Sequence, residues 1–169
     1  MRFSKEEEYL RQKDKKLKKI IDKNGHISFK PNKKNQFDTL VGIVISQFIS
    51  TKAANSIFKN IRDYFNSEYL NENHFEKLNI NQIKKLGLST NKSKTIKEIS
   101  NFYLNEKNKD LSKLDNETLY QTLLSIFGIG PWSVQMFEIF CVGSLDIFSS
   151  KDAGLRLAMN NLNMVKKGS

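Results

Sequence analysis

At 169 residues the chain has the length of one domain, and 38% hydrophobic with 27% charged residues is a globular rather than a disordered composition. Twelve Phe against eight Gly and two Pro argue against a turn-rich all-β chain, and the single cysteine, Cys141, excludes an internal disulfide framework, a four-cysteine iron–sulfur cluster and a zinc knuckle. No apolar run approaches the roughly 18 residues of a membrane span, and 28 basic against 18 acidic side chains leave a net charge of +10, so an intracellular protein with a polyanionic partner is expected.

The charge is uneven. Residues 1–34 carry twelve basic and five acidic side chains, net +7, residues 35–150 sum to zero, and residues 151–169 add +3. Within the neutral middle, Lys77, Lys84, Lys85, Lys92, Lys94 and Lys97 face only Glu76. Such a surface fits phosphates, or it is simply a solvated face of a Lys-rich chain.

Ser4 with Glu7 three residues on reads as a capping box, opening a charged helix that bears Leu10, Leu17, Ile20 and Ile21 and ends near Gly25. From Asn35, the residues Phe37, Leu40, Val41, Val44 and Phe48 make the buried stripe of a second helix. Ser50 or Thr51 caps a third, with Ala54, Ile57, Phe58, Ile61, Tyr64 and Phe65 inward and a stop at Asn66-Ser67. A short helix over Ile80 to Lys85 closes at Gly87, a longer one runs from Asn91 to Tyr103, and Asp115 or Asn116 starts another bearing Leu119, Leu123 and Leu124. Pro131 is the first position of the next, and Ser149 or Ser150 caps the last. The chain reads as one all-α domain of seven or eight helices: a basic segment over 1–34, a core over 35–158 and a short tail over 159–169.

The stretch Leu124-Ser125-Ile126-Phe127-Gly128-Ile129-Gly130-Pro131-Trp132-Ser133 is an apolar helix end, a Gly-x-Gly turn and a helix start. Two glycines allow positive φ and close approach, and the first N–H groups of the following helix can face a phosphate. A simple C-cap followed by a Pro-initiated helix explains the same residues structurally. Twenty residues beyond Trp132, Asp152 stands at a predicted helix start, with Asp146 as a second candidate acid.

Taken together these segments resemble the helix-hairpin-helix superfamily of DNA glycosylases in its alkylpurine branch, the 3-methyladenine DNA glycosylase II type. The run from Phe37 through Gln47-Phe48-Ile49-Ser50 to Ala53-Ala54 is similar to the opening helix pair of that family, and Leu86-Gly87-Leu88-Ser89 with Lys94 and Ile96 is similar to its central turn; the likeness extends from about residue 14 to 158. The resemblance implies a monofunctional enzyme that flips an alkylated purine out of duplex DNA and hydrolyses its N-glycosidic bond in base-excision repair. Asp152 matches the catalytic aspartate, whose carboxylate would stabilise an oxocarbenium-like sugar. Trp132 stands where bifunctional relatives carry a Schiff-base lysine, so no β-lyase activity is expected. Trp132 and Met136 would line the base pocket. Gly128, Ile129, Gly130, Pro131, Trp132 and Ser133 would hold DNA, and Gln47-Phe48 would supply the intercalating wedge, although Phe48 also continues the apolar stripe of its helix.

The resemblance implies no required cofactor and no iron–sulfur cluster, with a monovalent cation on the carbonyls of Leu124, Ile126 and Ile129 as an optional structural element. The partner is double-stranded DNA with alkylated bases, no membrane, met by a monomer in a bacterial cytoplasm or nucleoid or a eukaryotic nucleus. Only seventeen residues follow Asp152, where family members continue for several helices, so the expectation is a shortened C-terminus, covered by the basic N-terminal helix or by a partner. The usual proline between Phe148 and Asp152 is replaced by Ser149-Ser150, which predicts a less rigid turn. The rival reading is a non-catalytic or truncated helix-hairpin-helix module for DNA binding or damage recognition. His26 and His74 have no ligand-spaced partners and read as surface or satisfied histidines.

Overall fold

A computed structural model describes residues 3–105 and 110–165, and their regular structure is helical throughout. The chain divides into two compact units, residues 31–149 and a discontinuous unit of residues 1–30 with 150–169. The basic N-terminal segment therefore groups with the C-terminal helix, and the end of the anticipated tail, residues 166–169, lies outside the described residues.

The discontinuous unit begins with α1 (Lys5–Lys13), opened by the expected capping box: Glu7 N–H donates to Ser4 Oγ at 3.1 Å and Ser4 N–H to Glu7 Oε2 at 2.7 Å. The single helix predicted to reach Gly25 is cut at Asp14, where the backbone turns extended (φ −134°) and the carboxylate accepts from Lys16 and Leu17 N–H to start α2 (Lys15–Asn24). An Asp N-cap interrupts the helix without any Gly or Pro, because it satisfies the donors that a break would orphan. No residue of α1 or α2 is fully buried. Polar bonds hold the pair: Arg11 joins Glu8 at 2.6 Å and Asp22 at 2.7 Å, and Glu7 accepts from Ile27 N–H and meets His26 Nδ1, both at 2.8 Å.

The larger unit is built on α3 (Gln36–Ser46), whose Phe37, Leu40, Val41, Ile43, Val44 and Ile45 are all buried, as befits a central helix apolar on most sides. Ser50 caps α4 (Thr51–Phe65), which Asn66 ends in the left-handed region at φ 48°. The short α5 (Glu72–Glu76), absent from the sequence expectation, is followed by α6 (Ile80–Lys84), α7 (Thr90–Asn105), a 3₁₀ turn at Leu111–Lys113, α8 (Asn116–Leu124) and α9 (Pro131–Phe137), which runs on into a π-helical turn at Glu138–Val142. Leu40, Ile61, Phe75, Ile83, Ile96, Ile99, Leu123, Val134 and Phe137 are inaccessible to solvent and close one core over these elements. Inside it the Asp38 carboxylate, 3% exposed, accepts from Arg62 Nη2 at 2.7 Å and from Leu70 N–H at 2.8 Å, joining α3 to α4 and to the loop beyond. The Arg62 guanidinium also lies 4.2 Å from the centre of the Phe58 ring.

In the discontinuous unit the chain ends in α10 (Ala153–Asn161), again with no fully buried residue, and Lys16 Nζ donates to Asn163 O at 2.5 Å. Its N-cap is Asp152, not Ser149 or Ser150.

Candidate nucleic-acid interface

The hairpin between α8 and α9 is held from within by Ile126 and Ile129, both buried, while Phe127 and Gly128 between them face solvent. Gly128 has φ 79°, and a Cβ there would lie 1.9 Å from Thr95 Oγ1, so only glycine fits on both counts. Gly130 does not use the positive φ that glycine allows. Its φ is −114°, it is the N-cap of α9 with no side-chain cap, and a Cβ would meet nothing within 4 Å. The first intrahelical bond of α9 runs from Val134 N–H to Gly130 O at 3.1 Å, so the N–H groups of Trp132 and Ser133 precede it at the positive end of the helix dipole.

The segment after α3 is the second feature. Phe48 does not continue the apolar stripe: α3 stops at Ser46, Phe48 adopts φ 58°, and its side chain is 102% exposed. Left-handed backbone at a residue with a bulky side chain costs about 1–2 kcal/mol and persists where surrounding contacts impose it. Gln47, which the sequence grouped with Phe48 as wedge, points instead into the hairpin. Its Nε2 donates to Gly128 O at 3.1 Å and to the buried Ser133 hydroxyl at 2.9 Å. One turn back, Ile45 O accepts from Lys92 Nζ at 2.7 Å, and burial of that ammonium lowers its pKa. Lys92 and Thr95, three residues apart on α7, thus touch the last turn of α3 and the hairpin respectively. Neither contact is legible in the sequence, which only places Lys92 in a basic stretch.

Trp132 and Met136 are half-buried, packed against the core with part of each side chain accessible. Ser149, expected to loosen its turn, is buried, and its hydroxyl donates to Gln135 Oε1 at 2.8 Å, anchoring the end of this unit to α9. Asp146 lies exposed in the preceding bend. Among the three carbonyls singled out for a cation, Ile126 O already accepts from Ile129 N–H at 3.1 Å.

Asp152 belongs to the other unit. It is half-buried, and its Oδ1 accepts from Leu155 N–H at 2.7 Å as the cap of α10. The histidines are satisfied locally: His26 meets Glu7, and His74 Nδ1 accepts from Asn71 N–H at 3.0 Å while its ring stacks on Phe65 at 4.7 Å. Burial pushes the Cys141 thiol up to about 12, which keeps it protonated and a poor metal ligand. Among the described residues no group of three His, Cys, Asp or Glu side chains could hold a metal ion, and no helix is long and apolar enough to cross a membrane.

Comparison with known proteins bears on this arrangement. A family model described as HhH-GPD superfamily base excision DNA repair protein matches residues 41–169. DNA-3-methyladenine glycosylase 1 of Schizosaccharomyces pombe is 26% identical over 173 aligned positions, covering 98% of this chain and 75% of that protein. DNA-3-methyladenine glycosylase of Saccharomyces cerevisiae is 31% identical over 130 positions, which cover 70% of this chain and 44% of that one. Among solved structures, the Schizosaccharomyces pombe 3-methyladenine DNA glycosylase in complex with abasic DNA superimposes with a TM-score of 0.85 at 25% identity, over 97% of this chain and 82% of that chain.

Proposed function

The chain belongs to the HhH-GPD superfamily of base excision DNA repair proteins, and from that premise we propose that it is a monofunctional DNA glycosylase that excises alkylated purines from duplex DNA. The observation that carries the reading is Phe48, a fully exposed aromatic held at φ 58° and joined through its neighbour Gln47 to a Gly-x-Gly hairpin. A large apolar side chain presented to water on strained backbone is suited to enter a base stack. The kinship with glycosylases named for 3-methyladenine, one of them solved on abasic DNA, supports both the substrate class and the product.

The chemistry follows from the residues. The N–H groups of Gly130, Trp132 and Ser133 grip a backbone phosphate, with bare glycines allowing close approach. Extruding a nucleotide costs a few kcal/mol of unstacking, least for a damaged and weakly paired base, and Phe48 fills the gap. Trp132, with Met136 beside it, receives the flipped base. An indole face attracts a cationic methylated purine over a neutral one by about 0.5–2 kcal/mol. Such a purine is already a good leaving group, so one carboxylate suffices: Asp152, oriented by the Leu155 N–H, stabilises positive charge at the anomeric carbon and directs a water to it. Trp132 has no amine, so no imine forms and the product is an abasic site in an intact strand. The carbonyls of Leu124, Ile126 and Ile129 are neutral hard donors suited to a monovalent cation, with one lone pair of Ile126 O already taken; such an ion would stiffen the turn. The working unit is a single chain in the compartment that holds the DNA.

One observation favours the rival, a DNA-binding module without turnover: Oδ1 of the Asp152 carboxylate is engaged as a helix cap. Asp152→Asn separates the two, because Asn caps a helix about as well as Asp but carries no charge. Release of free base from methylated duplex should fall by about a hundredfold or more while duplex affinity is kept. In the wild type, strand nicking should appear only after alkali. Unchanged base release in the variant would reduce Asp152 to a cap.

A further inference from the structure

Gln47 stands between the two parts of the larger unit that the proposed function uses, and its side-chain nitrogen is engaged twice. An amide nitrogen has two protons, and both are placed: one on Gly128 O in the turn, at 3.1 Å, the other on Ser133 Oγ in the first turn of α9, at 2.9 Å. The acceptors lie 81 and 86 residues away in sequence, so these bonds are tertiary and tie residues 46–50 to the hairpin. What they do locally is fix the residue before Phe48. On the other side of Phe48, Ile49 makes a long backbone bond, from its N–H to Ser46 O at 3.5 Å. The left-handed backbone of Phe48 is therefore imposed chiefly from the hairpin, through Gln47, with Lys92 on Ile45 O steadying the end of α3.

We propose that Gln47 is a positioning residue that makes wedge and hairpin one device, so that seating a phosphate on the hairpin presents Phe48 to the base stack. The inference rests on the wedge reading above. It gives Gln47 a role different from the one suggested by its place in the chain. Its side chain never enters the DNA; it transmits the hairpin's position to Phe48. Insertion is then set by the grip, and a hairpin bound without Gln47 would hold DNA but flip poorly.

The test uses Gln47→Met, which keeps length and bulk but donates nothing, in the wild-type and in the Phe48→Ala background of the full chain. Three quantities are read: affinity for undamaged duplex, the fluorescence of 2-aminopurine placed beside a methylated base as a report of unstacking, and the single-turnover rate of base release. The expected result is an unstacking signal and release rate lower by about tenfold, with undamaged-duplex affinity within about twofold of wild type. In the Phe48→Ala background the same substitution should add nothing. A merely structural Gln47 would lower duplex affinity and melting temperature together, and would cost the same in both backgrounds; either pattern overturns the proposal. Ser133→Ala, which removes one acceptor and leaves Gly128 O, should fall between wild type and Gln47→Met and serves if the latter folds poorly. A silent Phe48→Ala would sink the wedge reading and this inference with it, whereas an effective Phe48→Ala with a silent Gln47→Met sinks this inference alone.

Discussion

Residues 31–149 bury a continuous apolar core from Phe37 to Cys141 and carry fourteen basic against twelve acidic side chains, net +2; residues 1–30 with 150–169 carry fourteen against six, net +8, and none of α1, α2 or α10 has a fully buried residue. The first unit is specified by packing, the second by caps and ion pairs. The difference matches what each must do. The proposed wedge, turn and base pocket would have to be fixed to a fraction of an ångström, which interdigitated side chains do and solvated ones do not. A polycation that raises the local concentration of duplex needs charge and little else, save at Asp152, where the cap bond to Leu155 N–H orients the proposed catalytic carboxylate. The comparison implies that substitutions should govern the stability of the larger unit, and solution conditions that of the smaller.

The largest effect is expected at Asp38, the buried carboxylate that serves Arg62 and Leu70 N–H at once. Asp38→Ala leaves a half-buried guanidinium and a buried N–H without acceptors, a loss of about 3 kcal/mol. Denaturant unfolding would register this as a lower midpoint, and Asp38→Asn, which still accepts from Leu70 N–H, should lose less. A midpoint unchanged by Asp38→Ala would mean that packing alone specifies the unit.

The two hairpin glycines sharpen the comparison inside that unit. Gly128→Ala drives a Cβ into Thr95 Oγ1 at φ 79° and should cost about 2 kcal/mol of stability or more. Gly130→Ala meets nothing within 4 Å at an ordinary φ, so melting should not change while duplex affinity falls several-fold, because the methyl group occupies the approach to the phosphate. Equal duplex affinity for Gly130→Ala and wild type would remove the hairpin from the DNA contact.

Much of this was legible in the sequence where the cause is local. The stripe of α3, the Gly-x-Gly turn before Pro131, the Ser4 to Glu7 box and the stop at Asn66 all follow from spacing within a few residues. Three features were not. Asp14 breaks a continuous helical pattern by capping its own successor, and no breaker residue announces it. The last helix offered Ser149, Ser150 and Asp152 as caps; Ser149 is taken by Gln135, a contact fourteen residues back that no local rule supplies. Phe48 sits on the apolar stripe by counting, yet α3 stops at Ser46 and Phe48 stands exposed at φ 58°, beside a Gln47 bonded to residues more than eighty positions away. Phe48 was nameable as a candidate wedge from resemblance, and its exposure was not legible, because no local rule supplies the end of α3 at Ser46.

The smallest effect belongs to the other unit and is one of pH. The Ile27 N–H, His26 and the Ser4 N–H hold the Glu7 carboxyl at about 2, against its ordinary 4.5, by bonds that favour the ionised form. A carboxyl depressed on folding contributes stability that is complete above about 4.5 and is lost as pH falls through about 2, so acid should loosen the junction of α1 with the segment after α2 in that window. Asp110, in the larger unit, is likewise held at about 2 by Ser112 and Gln36, so a global signal would mix the two. Amide exchange resolved by residue separates them. Glu7→Gln should leave Ser4, Glu7 and Ile27 exchanging at neutral pH as wild type does in acid, with the Gln36 to Leu111 contact untouched. If both regions respond together to Glu7→Gln, the two units are one cooperative body, and the division of labour between packing and charge does not hold.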